Sequence, residues 1–152
     1  HVSSRIGVAV DRTAEYLNWR LRDRPLIQYV SCQAELEDRV VGFVSVTLQE
    51  KHGGYTGYLM ELLTLPGIRG VSSALAQWAL RWFQDARADA VLAISRRNMP
   101  GHNALRWAGF LPMPQRLLPI QLAFGVLPLT RQAEAATKPD EWYLSYVDFD
   151  TA

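Results

Sequence analysis

The sequence predicts an α/β fold in which a mixed, mostly antiparallel central sheet is flanked by helices. The first half of the chain holds three runs rich in β-forming residues, separated by short turns. From Val71 onward, apolar residues recur at helical spacing, and helices alternate with short strand-like runs. Strands joined by tight turns pair antiparallel, whereas strands joined through a helix pair parallel, so the two halves together predict a mixed sheet.

The first half begins with a helix over 12–22, for which Asp11 is a plausible N-cap and Pro25 marks the exit. Three strands are then predicted, over 26–35, 40–48 and 55–65. The first two form an antiparallel hairpin around the turn at 37–39. The third is nearly continuous in apolar character, which is typical of a strand buried in the middle of a sheet.

The second half adds a long helix over 71–83, a short strand over 90–95 and a helix over 101–107 that stops before Gly109. Two further strands are expected over 116–126 and 142–147. The predicted order is therefore α-β-β-β-α-β-α-β-β, with an extra N-terminal strand over 2–10 left open.

Composition excludes several classes of function. The chain has 152 residues, 49% hydrophobic and 20% charged, which indicates one folded domain over 1–152. A net charge of +1 argues against nucleic acid as a partner. The lone Cys32 and scattered histidines argue against a metal site. No apolar run reaches about 18 residues, so we expect a cytoplasmic protein with no membrane partner. A first residue other than Met favours a fragment of a longer protein.

The segment 61–73 is the most informative for chemistry, because a strand ends there in a glycine-containing turn that leads into a long helix. Backbone N–H groups and the dipole at a helix N-terminus form an anion site, to which Arg69 adds charge and two serines add hydroxyl donors. The predicted site comprises Gly67, Arg69, Gly70, Val71, Ser72 and Ser73. The alternative is that the two glycines only make the turn.

Three segments resemble the GNAT superfamily, the acyl-CoA-dependent N-acetyltransferases. The strand–turn–helix of 61–83 falls where that family binds the CoA pyrophosphate. The segment 98–110, NMPGHNALRWAGF, is similar to the family pattern Asn-x-x-Ala-x-x-Leu-Tyr-x-x-x-Gly-Phe. The segments 16–20 and 141–150 are similar to signatures of larger bacterial proteins with this fold. The resemblance covers roughly 12–150 and implies a GNAT-like fold, with acetyl-CoA or another acyl-CoA as co-substrate.

The resemblance also implies site residues. Backbone groups of Leu63 and Leu65 are expected to pair with the pantetheine arm in the manner of an added strand. Asn98, which begins the second motif, is placed at the cofactor. Glu61 is the candidate base, because a buried carboxylate near the cleft suits proton transfer from the amine. The alternative for Glu61 is a strand residue that faces solvent or pairs with an arginine.

Two departures from the family pattern bear on activity. The turn reads GIRGVS where the family usually has Gln/Arg-x-x-Gly-x-Gly/Ala, and Leu105 stands where many members have a tyrosine acid. The leading hypothesis is an acyl-CoA-dependent N-acyltransferase that transfers an acetyl group to a small-molecule or protein amine. The alternative is a degenerate domain that serves as an interaction or scaffold module. A homodimer, or an upstream domain of the same protein, is left open as a partner.

Overall fold

The computed structural model describes residues 7–51, 53–97, 99–114, 116, 125–131 and 136–149. Its sheet has four strands in the order β1-β2-β3-β4. The strands are β1 (Tyr29–Leu36), β2 (Arg39–Lys51), β3 (Gly54–Thr64) and β4 (Ala90–Ala93). β1–β2 and β2–β3 pair antiparallel and β3–β4 pair parallel, so the predicted fold class is confirmed.

In the described part of the chain, three α-helices accompany the sheet: α1 (Ala14–Leu21), α2 (Val71–Asp85) and α3 (His102–Trp107). The N-cap of α1 is Thr13, whose hydroxyl accepts a hydrogen bond from the Tyr16 amide at 3.1 Å. The prediction of Asp11 as the cap is therefore wrong by two residues. Both are capping residue types, and only the backbone path decides which of them reaches the orphan N–H groups of the first turn.

Each face of the sheet is covered by a different element. The α2 side buries Leu75, Ala76, Ala79 and Phe83 of the helix against Val44, Val46, Leu59 and Leu62 of the strands. The opposite side packs Tyr58 and Met60 of β3 against Val147 and the apolar residues of α1. Burial of this area is the main favourable term for the fold, at about 25 cal/mol per Å² of apolar surface.

A β-bulge interrupts β3 at Met60. Ser45 of β2 faces Glu61, and the next β2 residue, Val46, faces Leu59, so Met60 is the extra residue. A bulge bends the strand and re-aims the side chains around it. It directs the bulky Met60 into one core and places Glu61 beside the following stretch of β3, where the candidate site lies.

The last third of the chain differs from the sequence prediction. The expected strand over 142–147 is reduced to one parallel bridge between Trp142 and Val8, and 3-10 helices form at Pro139–Glu141 and Tyr146–Asp148. Residues 2–6 of the expected N-terminal strand over 2–10 lie outside the described residues, as does most of the predicted strand over 116–126. No helix in the described part of the chain is long and apolar enough to span a membrane.

Candidate active site

The sheet opens between its two parallel strands. β4 pairs with β3 only from Thr56 to Leu59, whereas β3 continues to Thr64. The start of α3 lies close to this unpaired half. A Cβ atom built on Gly101 would lie only 3.0 Å from Leu62 Cδ2. Gly101 has φ of 80°, so its missing side chain permits both the backbone turn and the close approach. The result is a cleft at the carboxyl end of β4, the usual place for a ligand beside parallel strands.

The backbone of β3 offers this cleft different groups from those predicted. The Leu65 amide donates to the Val41 carbonyl at 2.8 Å and is therefore not available to a pantetheine arm. Because backbone groups alternate between the two edges of a strand, Leu63 also faces β2, and Leu62 and Thr64 face the cleft. The Leu62 amide is not available to an added strand either, since it donates to Glu61 Oε1 at 3.0 Å.

The turn before α2 has the features expected of an anion site. Gly67 and Gly70 both have positive φ, at 86° and 84°. Gly70 caps α2 without a side-chain hydrogen bond, and the first turn contains no acidic residue. The amides of Val71, Ser72 and Ser73 therefore have no intrahelical acceptor.

The polar residues around the turn and the end of β4 differ in their surroundings. Arg69 lies exposed in the turn itself. Arg96, just beyond β4, forms an ion pair of 3.1 Å with Asp140 and also donates to the Pro139 carbonyl. It therefore ties the 3-10 helix at Pro139–Glu141 to the end of β4. Asn98 lies outside the described residues.

Glu61 is completely buried and accepts four hydrogen bonds. Its Oε2 accepts from Arg12 Nε at 2.8 Å and from Ser145 Oγ at 2.9 Å. Its Oε1 accepts from the Tyr143 hydroxyl at 2.5 Å, in addition to the Leu62 amide. These donors satisfy the carboxylate fully, so the pairing with an arginine that the sequence left as the alternative is present. A role for Glu61 in proton transfer stays a prediction.

Arg12 connects the two acids of this cluster. Besides Glu61, its guanidinium contacts Asp148 Oδ2 through Nη2 at 2.6 Å, and its side chain is only 9% exposed. Tyr16 and Tyr143 lie within 6 Å of the guanidinium carbon, at 5.7 and 5.6 Å from their ring centroids. Burial acts to lower the pKa of Arg12, but the charges of Glu61 and Asp148 outweigh it and raise the pKa overall.

The segments 16–20 and 141–150, which resemble signatures of larger proteins, contact each other in the structure. The buried Arg20 donates through Nε to the Val147 carbonyl at 2.7 Å and through Nη2 to the Phe149 carbonyl. The two motifs therefore hold each other, and they seat the C-terminal segment against β3. Trp19, within the first of these motifs, is 61% exposed and does not take part in this contact.

Sequence reasoning assigned no role to the residues that hold Glu61. Arg12 lies 49 positions from Glu61 and 136 from Asp148, and no local pattern links them. The available signal was Glu61 itself, the sole charged residue in the apolar run 55–65. A carboxylate buried in a central strand requires a cationic partner.

A second pair of polar side chains lies just beyond β4. Ser95 Oγ is 3.0 Å from His102 Nδ1. Both line a cavity of about 720 Å³ between β4 and α3, whose walls are largely apolar, with Val91, Phe110 and Leu111 among them. His102 is half-buried.

Three tyrosines, of which Tyr143 is buried and Tyr16 and Tyr146 are partly buried, predict an alkaline limit to stability. Burial raises the pKa of Tyr146 to about 12, with a smaller contribution from Tyr58. Burial and the Glu61 charge raise the pKa of Tyr143 well above its ordinary value, and burial and Asp148 raise that of Tyr16. An unfolded tyrosine has a pKa of about 10, so above that pH the folded state binds more protons than the unfolded state. Stability is therefore complete below about pH 10 and falls as the pH rises through the folded pKa values.

We expect Tm to fall steeply between about pH 10 and 12, and the fall to be shallower in Tyr146→Phe. Thermal unfolding at a series of pH values measures this, with the exposed Tyr55→Phe as the matched control. Equal slopes for wild type and Tyr146→Phe would contradict the assignment.

Comparison with known proteins places the chain in a family. The model of the acetyltransferase (GNAT) family matches residues 5–110, well over half of the sequence. No curated protein matches the chain.

Solved structures agree on the fold. An aminoglycoside acetyltransferase from an uncultured soil metagenomic sample, solved with trehalose, is 14% identical, has a TM-score of 0.56, and is matched over 78% of this chain and 77% of its own. Glucosamine-6-phosphate N-acetyltransferase from Arabidopsis thaliana is 14% identical with a TM-score of 0.53, over 63% and 65%. A predicted acetyltransferase from Clostridium acetobutylicum, solved with acetyl-CoA, is 14% identical with a TM-score of 0.52, over 62% and 64%.

The match spans less than two thirds of the last two structures. At these identities the likeness concerns the fold, and the family model supplies the assignment. The chain belongs to the GNAT family of acetyltransferases.

Proposed function

We propose that this protein is an acyl-CoA-dependent N-acyltransferase that moves an acetyl group from acetyl-CoA to an amine. The observation that carries the proposal is the uncapped N-terminus of α2, which lies directly after the unpaired half of β3. The turn supplies donors for an anion, and the cleft supplies space for the arm attached to it. Family membership supports the same activity.

The residues of the turn fit a diphosphate. Three orphan amides at Val71–Ser73, the positive end of a 15-residue helix and the exposed Arg69 all favour negative charge. Net charge is only +1, so an anionic co-substrate must be held by this local arrangement and not by a general positive field.

The acyl donor supplies an activated carbonyl, and the protein must position it, exclude water and manage protons. We propose that the cleft-facing backbone of Thr64 contacts the pantetheine arm, since Leu65 is engaged with β2. Glu61 enters this proposal as the residue that holds the shape of β3 at the bulge. With four donors on its carboxylate, it is poorly placed to accept a proton from an amine.

We propose a small-molecule amine as the acceptor. A second groove of about 940 Å³ lies on the α1 side of the sheet, between α1 and the exposed face of β1, and Asn18, Gln28 and Gln33 line it with polar groups. One relative of similar fold is named as an aminoglycoside acetyltransferase and another as acting on glucosamine-6-phosphate. Both names describe amines of small polar molecules, which agrees with a groove of this polarity.

The scaffold alternative has one observation in its favour. The Tyr143 hydroxyl reaches the Leu62 carbonyl at 3.2 Å, so a group of the C-terminal segment already occupies part of the β3 edge. A domain that has lost its co-substrate would tolerate such an obstruction. Binding of acetyl-CoA separates the two functions.

Ser72→Asp provides a sharp test of the anion site. A carboxylate in the first turn of α2 stabilises the helix by about 0.3–1 kcal/mol, but it repels a diphosphate at the same place. We therefore expect an unchanged or higher Tm without ligand and an affinity for acetyl-CoA at least about tenfold lower. Calorimetric titration measures the affinity, and wild type with acetyl-CoA at about 100 times its Kd should gain about 2.7 kcal/mol of stability.

Ser72→Ala is the matched control, since it removes the hydroxyl without adding charge. If Ser72→Asp binds acetyl-CoA as tightly as Ser72→Ala does, the turn is not the anion site. If wild type binds neither acetyl-CoA nor longer acyl-CoAs, the proposed function itself fails and the scaffold alternative is favoured.

A further inference from the structure

We propose that His102, oriented by Ser95, is the acid that protonates the sulfur of the departing CoA thiolate. The inference rests on the proposed function and concerns a residue pair that lies outside the turn and the Glu61 cluster.

The position of His102 follows from Gly101. The Cβ site of Gly101 lies 3.0 Å from Leu62 Cδ2 and 3.9 Å from the Leu62 carbonyl oxygen, so the first residue of α3 stands beside the unpaired half of β3. His102 also lines the cavity that follows β4. His102 therefore follows a residue that contacts the unpaired half of β3, and it lines the cavity beyond β4.

Ser95 suits an imidazole that gains and loses a proton. Its hydroxyl lies 3.0 Å from Nδ1, and a hydroxyl donates to an unprotonated nitrogen or accepts from a protonated one. A carbonyl or carboxylate in the same place would favour one state. With Nδ1 held by Ser95, Nε2 is the nitrogen left for the cavity, and no described residue hydrogen-bonds to it.

The other ionisable side chains that line the cavity are Arg106, Tyr58 and Tyr146. A guanidinium has donors and no acceptor, so it does not take back a proton. Burial raises the pKa of Tyr146 to about 12. A catalytic acid works best with a pKa near the working pH, so this shift makes Tyr146 a weaker candidate. Histidine is the side chain whose charge ordinarily changes between pH 5 and 8.

The amine nitrogen attacks the thioester carbonyl carbon, a C–N bond forms, and the C–S bond breaks with its electron pair on sulfur. The Nε2 proton of the His102 imidazolium passes to sulfur, and the proton lost by the amine nitrogen returns to His102 directly or through water. The products are the amide and free CoA thiol, with no net uptake of protons.

The kinetic test compares His102→Ala and Ser95→Ala with Asn103→Ala, the control on the next, exposed residue of α3. Release of CoA thiol is followed both with an amine and with water as the acceptor. We expect kcat to fall about 100-fold in His102→Ala and about fivefold in Ser95→Ala, with affinity for acetyl-CoA within about twofold of wild type. Free imidazole should restore part of the His102→Ala rate.

A second measurement does not depend on turnover. In protein with ¹⁵N-labelled histidine, assigned by His102→Gln, we expect CoA to shift the His102 Nε2 resonance, and adenosine 3′,5′-diphosphate, which lacks the thiol arm, to leave it unchanged. Equal shifts by the two ligands overturn the inference.

The kinetic outcomes separate the inference from the proposed function. Wild-type release of thiol combined with an unimpaired His102→Ala overturns the inference alone. A loss confined to acetyl-CoA affinity, with kcat unchanged, assigns His102 to binding and also overturns it. Wild type that neither binds acetyl-CoA nor releases thiol overturns the proposed function, and the inference with it.

Discussion

Replacing Arg12 with methionine should destabilise the protein by about 3–5 kcal/mol, because it leaves two carboxylates buried without their cation. Glu61 is 0% exposed and Asp148 is 6% exposed, so water cannot replace the guanidinium. For a chain of this length, the expected fall in Tm is about 10 °C. Thermal or denaturant unfolding measures it.

The effect should exceed that of a surface arginine because Arg12 joins three parts of the chain. It donates to the Val10 carbonyl at 3.0 Å, to Glu61 of β3, and to both Ser145 and Asp148 of the C-terminal segment. Exposed ion pairs usually contribute about 0–1 kcal/mol, whereas an interrupted buried pair carries the full cost of an unpaired charge.

A double-mutant cycle with Glu61→Gln distinguishes these causes. Once Arg12 is gone, neutralising Glu61 removes a buried charge, so the double variant should be no less stable than Arg12→Met alone. Effects that add to within about 0.5 kcal/mol would contradict the pairing. Arg12→Lys keeps the charge but lacks the forked donor, and this milder variant serves if Arg12→Met does not fold.

The elements that depend on local sequence were predicted well. The helix at 71–83 and the strand at 55–65 agree with the observed Val71–Asp85 and Gly54–Thr64 to within about two residues at each end. Periodicity and turn residues decide such elements, since the physics that forms them acts over a few positions. The glycine turn before α2 was found for the same reason.

The failures concern contacts between distant segments. The segment 142–147 has the composition of a strand, but Tyr143 and Ser145 point into the Glu61 cluster and Val147 into the α1-side core. Composition indicates only that these residues are compatible with a strand. The contacts with Glu61 and with the α1-side core stabilise a different backbone path.

The same distinction applies within the candidate site. The donors of the turn could be predicted, because a helix N-terminus has orphan amides in any protein. The direction of the Leu65 backbone could not, because the pairing register with β2 decides which edge of β3 each amide faces. The Ser95–His102 hydrogen bond also depends on where the loop between β4 and α3 returns, which no spacing rule gives.

Gly42→Ala should disturb both the stability of the protein and the proposed anion site. A Cβ at Gly42 would lie 2.7 Å from Val71 Cγ1 and 2.8 Å from Leu75 Cδ1, both on α2. Contacts this short require the Val71 and Leu75 side chains to shift, because Gly42 is buried in the middle of β2. Both side chains belong to the first turns of α2, so we expect the start of the helix to be displaced with them. Overpacking of this kind costs about 1–3 kcal/mol, or about 5 °C in Tm here.

The displaced element is the first turn of α2, whose amides are proposed to hold the diphosphate. We therefore expect Gly42→Ala to weaken acetyl-CoA binding about tenfold beyond its effect on folding, as measured by calorimetry at a temperature where the variant is folded. Adding Val71→Ala removes one of the two clashing groups and should recover a substantial part of both losses, although it also removes some buried area.

Gly125→Ala is the matched control, since no atom lies within 4 Å of a Cβ at that exposed position and the substitution should leave Tm unchanged or slightly higher. If Gly42→Ala is as stable as Gly125→Ala, α2 is not seated on β2 through this contact. If Gly42→Ala is destabilised but binds acetyl-CoA normally, the turn is seated as described and the anion is held elsewhere. If Gly42→Ala loses both stability and acetyl-CoA affinity, and Val71→Ala restores both, the two properties have one cause. The packing of Gly42 against α2 then determines how well the α2 N-terminus binds the diphosphate.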